Sequence, residues 1–338
     1  LPHPLAAVRR LLAEPERLGQ ALAHQALLYF RWGKFDQALT LFDESLSFLR
    51  PLNDPALLTH SLIYSGIILH LNGEINQAQA RLSEGLACAE ATEDDWFAAY
   101  ARLNQGYIAS LLGRYEEGYE QMRASLASMR AIGDPHALTL GLNFITPTVI
   151  KLGYYEEAEA YLQESVILCT ELGNRWGLGT AYRFLGLAAL AQGKLAEAEA
   201  FIHKSLDVFK DFVTRWDIVL SLVYLGEIKA AAGDFLEARR IFLETLPMAL
   251  KFQAIPLALD VLVGLAYLAT QAGQAEQAVE LSICVLCHPA STQEAKDRAE
   301  QLIAELETQL TPEQIEAAKA QPLPKIVEQV LGNGLRHC

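Results

Sequence analysis

The chain has 338 residues, of which 51% are hydrophobic, and a formal net charge of −14 at pH 7. Nucleic-acid binding needs a basic stripe that displaces counterions from phosphates, and no cluster of lysine and arginine offsets this acidic balance. No run of 18 or more apolar residues occurs, so the sequence predicts no membrane-spanning helix.

The N-terminal segment, residues 1–16, is predicted to contain one helix, over residues 2–13, that caps the first repeat. The chain begins Leu1-Pro2-His3-Pro4, with neither an initiator methionine nor the layout of a secretory signal. We therefore expect the natural protein to continue upstream. The five cysteines are few and odd in number, which suits a reducing cytoplasm.

From residue 17 to residue 290 the chain repeats itself every 40 residues. One column of the repeat is a glycine, at Gly33, Gly73, Gly113, Gly153, Gly193, Gly233 and Gly273. A second column, five residues later, is always small: Ala38, Ala78, Gly118, Ala158, Ala198, Ala238 and Ala278. Such a period is the signature of a solenoid built from stacked supersecondary units.

Each repeat is predicted to be a pair of antiparallel helices. Apolar residues at three- and four-residue spacing on both sides of each glycine indicate amphipathic helices, A before the glycine and B after it. The glycine supplies the sharp turn, and the small residues let the two backbones approach closely. Asp54-Pro55 and Asp134-Pro135 are helix start signals between repeats. The sequence predicts an all-α fold.

The C-terminal segment, residues 291–338, is predicted to cap the array. Residues 292–310 form a strongly charged helix that could stack as an eighth A helix, since solenoid ends need polar caps. A further helix start follows at Thr311-Pro312, and a short apolar helix after Pro324 ends near Gly332.

The repeat resembles the tetratricopeptide family, whose pattern includes Ala-x-x-x-Phe after the turn. Ala38-x-x-x-Phe42 and Ala238-x-x-x-Phe242 match it. The period of 40 exceeds the usual 34, which is similar to the subclass in C-terminal sensor domains of STAND-type signalling ATPases and maltotriose-activator-like regulators. The resemblance implies a right-handed α-solenoid of seven helix pairs, with a partner bound on its concave face.

No catalytic or metal-binding motif is present, so we expect neither an enzyme nor a cofactor. Cys284-x-x-Cys287-His288 matches the haem-attachment pattern, but it falls within helix B of repeat seven and is interpreted as structural. Ser45, Ser125, Ser165 and Ser205 share one repeat column and are interpreted as small packing residues.

The candidate partner site lies on the inward side of the A helices, where aromatic side chains recur with a few polar groups among them. Such a surface is typical of ligand sites. The alternative is that the rings only pack between adjacent A helices. The predicted contact residues are Tyr64, Tyr100, Asn104, Tyr107, Asn143, Phe144, Arg183, Phe184, Tyr224, Glu227 and Tyr267.

Three single-residue features leave alternatives open. Arg183 could clamp a carboxylate or phosphate of a ligand, or pair with Glu227 or another acid of the chain. Trp96, Trp176 and Trp216 share one phase and either staple the long connection or line the lip of the groove. Pro147 falls inside an A helix and should kink it.

Two functions compete. The first is a cytoplasmic sensor or regulatory module of a larger STAND-type signalling protein. It would bind a protein, peptide or small-molecule effector in the groove and relay occupancy to upstream domains of the same chain. The second is a constitutive protein–protein scaffold that senses nothing. Neither involves nucleic acid or a membrane.

Overall fold

The computed structural model describes residues 14–211, 216–306 and 323–334, and apart from one short 3₁₀ turn at Arg50–Leu52 the regular structure of these residues is α-helical. We number the helices in chain order. The A helices of repeats one to seven are α1 (Pro15–Arg31), α3 (Pro55–Leu71), α5 (Asp95–Leu111), α7 (Pro135–Lys151), α9 (Arg175–Ala191), α11 (Trp216–Ala231) and α13 (Ile255–Gln271). The B helices are α2 (Phe35–Leu49), α4 (Ile75–Ala91), α6 (Tyr115–Ile132), α8 (Tyr155–Glu171), α10 (Leu195–Phe209), α12 (Phe235–Lys251) and α14 (Ala275–Cys287).

Two further helices follow the pairs, α15 (Gln293–Leu306) and α16 (Leu323–Gly334). The all-α fold and the seven helix pairs predicted from the repeat are confirmed. Pro147 lies inside α7, which continues to Lys151, and a kink at this proline stays a prediction. The predicted capping helix over residues 2–13, the last four residues of the predicted 292–310 helix and the helix start at Thr311 lie outside the described residues.

The turn inside each pair has the predicted glycine conformation. All seven column glycines have positive φ values, between 69° and 83°. An L-residue is strained in this left-handed region, and glycine avoids the strain because it has no Cβ. The described turns between repeats use the same region at Asn53, Glu93, Gly133, Gly173 and Gln253.

Helices A and B of one repeat approach closely through the small-residue columns. A Cβ added at Gly106 would lie 2.8 Å from the carbonyl oxygen of Gly118, and one added at Gly118 would lie 2.6 Å from that of Gly106. Ala158 and Ala198, in the same column as Gly118, are fully buried. The small residues are therefore a packing requirement of the helix pair.

The serine column is buried, and its hydroxyl groups form hydrogen bonds. Ser45 donates to the carbonyl oxygen of Gly19, 2.8 Å away, and Ser125 donates to that of Ala99, 2.6 Å away. Both bonds join a B helix to the preceding A helix. Ser205 lies 3.1 Å from Ser221 of the following A helix. The interpretation as packing residues extends to hydrogen bonding, which satisfies polar groups inside the stack.

The predicted start signals are used as caps. The Asp54 carboxylate accepts a hydrogen bond from the Ala56 N–H at 3.0 Å, and Asp134 accepts one from His136 at 2.9 Å. In each case the proline that follows is the first residue of the helix, where its missing N–H costs nothing.

The chain divides into two compact units, which are described separately below. Unit 1 comprises residues 1–110 and 116–145, and unit 2 comprises residues 111–115 and 146–338. The core of unit 1 contains Phe42, Leu82 and Met122, and the core of unit 2 contains Leu162, Ile202 and Phe242, all fully buried. These six occupy the Ala-x-x-x-Phe position of successive repeats.

Candidate functional site

The predicted contact residues on the A helices differ in how deeply they are buried. Asn143 has no exposed surface, and Asn104, Arg183 and Phe184 are 4–6% exposed. The other predicted contact residues, Tyr64, Tyr100, Tyr107, Phe144, Tyr224, Glu227 and Tyr267, are half-buried. The structure therefore brings the half-buried residues to the A-helix face of each unit and sets the four others beneath it. Ligand contact stays a prediction for all of them.

In unit 1 the aromatic rings form a ladder between successive A helices. The Tyr64 ring of α3 lies 5.6 Å from Phe30 of α1 and 5.9 Å from Tyr100 of α5, measured between centroids. Nearer the turns, Tyr107 lies 5.4 Å from Phe144. These edge-to-face and tilted contacts are geometries that aromatic pairs favour. The rings thus pack between A helices, as the alternative interpretation held, while part of each stays exposed.

Four titratable groups in or beside this ladder, His60, His70, Tyr64 and Tyr100, are uncharged at neutral pH. Burial, together with the charge of His24, lowers the pKa of His60 to about 4, and burial lowers the pKa of His70 to about 4. Burial raises the pKa of Tyr64 and of Tyr100. The ladder of unit 1 is therefore a largely apolar, neutral surface with a few hydroxyl and imidazole groups.

Two of the three phase-matched tryptophans bond to an acid at the start of the next A helix. Trp96 Nε1 donates to Asp134 at 3.0 Å, and Trp176 Nε1 donates to Asp217 at 3.0 Å. Each bond ties one repeat to the next, which neither the staple nor the lip interpretation anticipated. An Asp about one repeat downstream of the Trp is the signal in the sequence.

Arg183 is committed to a partner inside the chain. Its Nη1 donates to the Asp217 carboxylate at 2.9 Å, and both side chains are less than 10% exposed. The guanidinium also lies 5.3 Å from the Phe184 ring and 5.5 Å from the Phe209 ring. Of the two roles considered, the structure shows the internal ion pair, with Asp217 rather than Glu227 as the acid.

Two buried polar atoms near this ion pair remain unsatisfied in the described core of unit 2. Arg183 Nε and Thr180 Oγ1, one helical turn apart on α9, are buried and have no hydrogen-bond partner among the described residues. Unsatisfied buried groups of this kind are costly. Nothing in the spacing of the sequence indicated this arrangement.

In unit 2, helix α15 packs against the A helices. Arg298 of α15 donates to Glu227 of α11 at 2.5 Å, and Lys151 of α7 is ion-paired with Glu294 of α15. Leu302 and Leu306 of the same helix are buried. The charged C-terminal helix predicted to stack as an eighth A helix thus also reaches helices of repeats four and six.

Asp260 of α13, absent from the sequence-predicted site, lies among these charges. The pKa of its carboxyl is raised to about 7, mainly by burial and also by the carboxylates of Glu294 and Glu227. The positive charges of Arg298 and Lys151 act in the opposite direction and lower it. No hydrogen bond to its carboxyl is present among the described residues. The signal in the sequence was a single acid within the otherwise apolar A helix of repeat seven.

A cavity of about 300 Å³ lies between α11, α13 and α15. Its apolar wall includes Phe242, Val263 and Gly264, and its polar wall includes Glu227 and Arg298. Tyr267, one of the predicted contact residues, also lines it. The volume is at the small end of the range for ligand pockets.

The Cys284-x-x-Cys287-His288 segment ends helix α14, as predicted. Cys284 is buried, and burial with the nearby Cys287 raises the pKa of its thiol to about 11. A raised pKa disfavours the thiolate that nucleophilic or metal chemistry needs. Among the described residues, no group of three or more His, Cys, Asp or Glu could hold a metal ion.

None of the helices in the described part of the chain is long and apolar enough to cross a bilayer.

Comparisons with known proteins agree with this fold. The tetratricopeptide-repeat family model matches residues 149–211. No curated protein sequence matches the chain. The fold is similar to that of a Rap protein solved with competence and sporulation factor, with a TM-score of 0.62 and 14% identity over 89% of this chain and 76% of that one.

Two further structures are similar. One is NprR in complex with its cognate peptide NprX, with a TM-score of 0.61 and 13% identity over 94% of this chain and 95% of that one. The other is a STAND protein with a tetratricopeptide repeat sensor from Pyrococcus horikoshii, with a TM-score of 0.51 and 16% identity. The alignment covers 92% of this chain but only 46% of the STAND protein.

The helix pairs, the family match over residues 149–211 and the similar solved structures together define the fold. The chain has the fold of a tetratricopeptide-like α-solenoid, which is typical of protein-binding modules, and residues 149–211 of it match the family model. The resemblance found from the 40-residue columns is confirmed, and the similarity to solved structures extends to a STAND sensor.

Proposed function

We propose that this chain is the partner-binding sensor of a larger STAND-type signalling protein and binds a peptide or protein segment on its A-helix faces. The observation that carries the proposal is the aromatic ladder of unit 1, whose rings stay partly exposed. Exposed rings give a large contact area at a low cost in side-chain entropy, which is why they dominate binding hot spots.

The solved relatives favour a peptide over other ligands. The Rap protein and NprR were each solved with a peptide or signalling factor bound, and each covers most of this chain in the alignment. The STAND protein carries its tetratricopeptide repeats as a sensor within a longer chain. By analogy, occupancy of this chain is relayed to further domains of the same protein in the cytoplasm.

The neutral ladder also sets the chemistry of the ligand. Tyr64, Tyr100 and Tyr107 offer ring surface and hydroxyl groups, with His60 and His70 uncharged at pH 7. A segment with apolar or aromatic side chains fits this face, whereas a nucleic acid would meet no basic surface to neutralise its phosphates. The proposed role involves no catalysis and no cofactor.

The test is comparative capture from a lysate of the source organism. The wild-type chain is compared with Tyr64→Ala/Tyr107→Ala, which alters the ladder, and with Ile167→Ala/Leu236→Ala, which alters exposed apolar residues of two B helices. Circular dichroism and melting must show that each variant is folded. Peptides and proteins are identified by mass spectrometry.

We expect a peptide or protein that the wild type and the B-helix variant retain and the ladder variant loses. Equal retention by all three would refute the ladder as the site. A constitutive scaffold, the competing function, would bind without a change in hydrogen exchange outside the contact surface, whereas a sensor would transmit one.

A further inference from the structure

Helix α15 makes contacts far from its neighbours in sequence. Its first residue, Gln293, lies against the turn of repeat three, because a Cβ added at Gly113 would lie 2.8 Å from Gln293 Cγ. Burial raises the pKa of Tyr115, and the carboxylates of Glu294 and Asp297 raise it further. An eighth A helix that only capped the array would contact α13 and α14 alone.

Two ion pairs fix this position. Lys151 at the end of α7 pairs with Glu294, which lies 143 residues away in sequence, and Glu227 of α11 pairs with Arg298. The Glu227 side chain is 17% exposed and that of Arg298 36%. The Lys151 and Glu294 side chains are 35% and 45% exposed. The Glu227–Arg298 pair is the more buried of the two, so it is screened less than a surface pair and contributes more to holding this position.

The pairs also cover the face that the A helices present in unit 2. Arg298 and Leu302 of α15 form one wall of the 300 Å³ cavity, opposite Val263, Gly264 and Tyr267 of α13. Tyr267 and Glu227 are among the residues that the sequence predicts to contact a partner. A segment of this chain therefore already stands where a partner of unit 2 would bind.

We propose that α15 is the resting occupant of the A-helix face of unit 2, and that a partner reaches this face only when the Lys151–Glu294 and Glu227–Arg298 pairs open. This inference rests on the proposed function for the existence of a partner. The occupancy itself rests on the contacts of α15.

The pairs also define the chemistry of a partner that replaces α15. Once Arg298 leaves, Glu227 is a partly buried carboxylate without its counter-ion, and Lys151 loses Glu294. Leaving the partly buried Glu227 unpaired is costly, whereas the more exposed Lys151 loses less. A replacing segment therefore presents an acid to Lys151 and a base to Glu227, as α15 does with an acid and a base four residues apart on one helix face.

The experiment measures access to this face with a thiol reagent. Val263→Cys places a thiol in the cavity wall, and the rate at which N-ethylmaleimide labels this thiol is measured. Mass spectrometry of the peptide that contains position 263 distinguishes this thiol from the native cysteines. The pairs are opened by Glu294→Lys/Arg298→Glu, which leaves the net charge unchanged. The matched control is Lys296→Glu/Glu300→Lys, the same exchange at the same spacing on α15.

We expect labelling at position 263 to be at least tenfold faster in the Glu294→Lys/Arg298→Glu variant and unchanged within twofold in the control. Adding Lys151→Glu/Glu227→Arg recreates both pairs with reversed charges and should return the rate to near that of the Val263→Cys parent. Helicity by circular dichroism must match throughout.

An unchanged labelling rate in the Glu294→Lys/Arg298→Glu variant would overturn the proposal. A labelling rate that stays fast in the variant with all four substitutions would overturn it too. The assay needs no partner, so its failure is distinct from a failure to capture one.

A synthetic peptide of residues 290–306 tests the partner chemistry. Added to the opened variant, it should slow labelling at position 263, and a peptide with the Glu294→Lys/Arg298→Glu changes should not. Equal effects of the two peptides would contradict the acid-and-base requirement.

Discussion

Asp260 shows how a single side chain responds to its surroundings. Its carboxyl faces Glu227 of α11, Glu294 and Arg298 of α15 and Lys151 of α7, and burial is the main cause of its raised pKa of about 7. The unfolded chain would have an ordinary aspartate pKa near 4. Folding therefore favours the protonated form of this group.

The consequence is a loss of stability as pH rises. Below about pH 4, Asp260 is protonated in both the folded and the unfolded state. Between about pH 4 and pH 7 the unfolded state loses this proton and the folded state keeps it. The free energy of unfolding therefore falls, by up to about 1.4 kcal/mol for each unit that the pH rises. Asp260→Asn should remove this contribution. Urea unfolding of both proteins from pH 5 to pH 8 should show the variant gaining stability relative to wild type. A pH-independent difference would contradict the raised pKa.

The Arg183–Asp217 pair predicts a second residue-scale effect. Asp217→Leu leaves a buried guanidinium without its counter-ion, so we expect a loss of about 3–5 kcal/mol in the free energy of unfolding. Arg183→Met/Asp217→Leu removes both charges and should recover much of that loss. Denaturant unfolding of the two variants decides this, since equal destabilisation would contradict the cost assigned to the unpaired guanidinium.

At the scale of helices, the close approach of A and B depends on the small-residue columns. Gly118→Val adds a side chain where even a Cβ would lie 2.6 Å from the backbone oxygen of Gly106. Overpacking of this kind costs about 1–3 kcal/mol. Ala124→Val, at an exposed position of the same helix, should cost no more than about 0.5 kcal/mol, the difference in helix propensity. Similar losses in both variants, measured by urea unfolding, would refute the packing requirement.

Some contacts between helices could be predicted from the sequence and others could not. The glycine column indicated the turns, and the small column indicated the A–B contacts, because both follow from local backbone geometry repeated every 40 residues. The partner of Arg183 could not be deduced, because Asp217 lies 34 positions away on another A helix and the sequence does not show which acid packs beside it. The contact of Lys151 with Glu294 joins residues 143 positions apart and depends on how the helices stack.

At the scale of the molecule, the two units present different A-helix faces. Unit 1 carries a neutral aromatic ladder that is partly exposed, and unit 2 carries charged groups paired with α15. The candidate residues therefore divide between the two units, with Phe144 the last of them in unit 1 and Arg183 the first in unit 2. The sequence columns did not distinguish the two groups.

Binding of a partner to the A-helix faces can be tested by site-specific photo-crosslinking. A benzophenone amino acid replaces Tyr64 or Tyr267 on the A helices, or Ile167 or Leu236 on the B helices, and the chain is irradiated in lysate of the source organism. We expect a discrete crosslinked partner from an A-helix position and none from the B-helix positions. Crosslinks from the B-helix positions alone would contradict it and move the binding surface to the other side of the repeats.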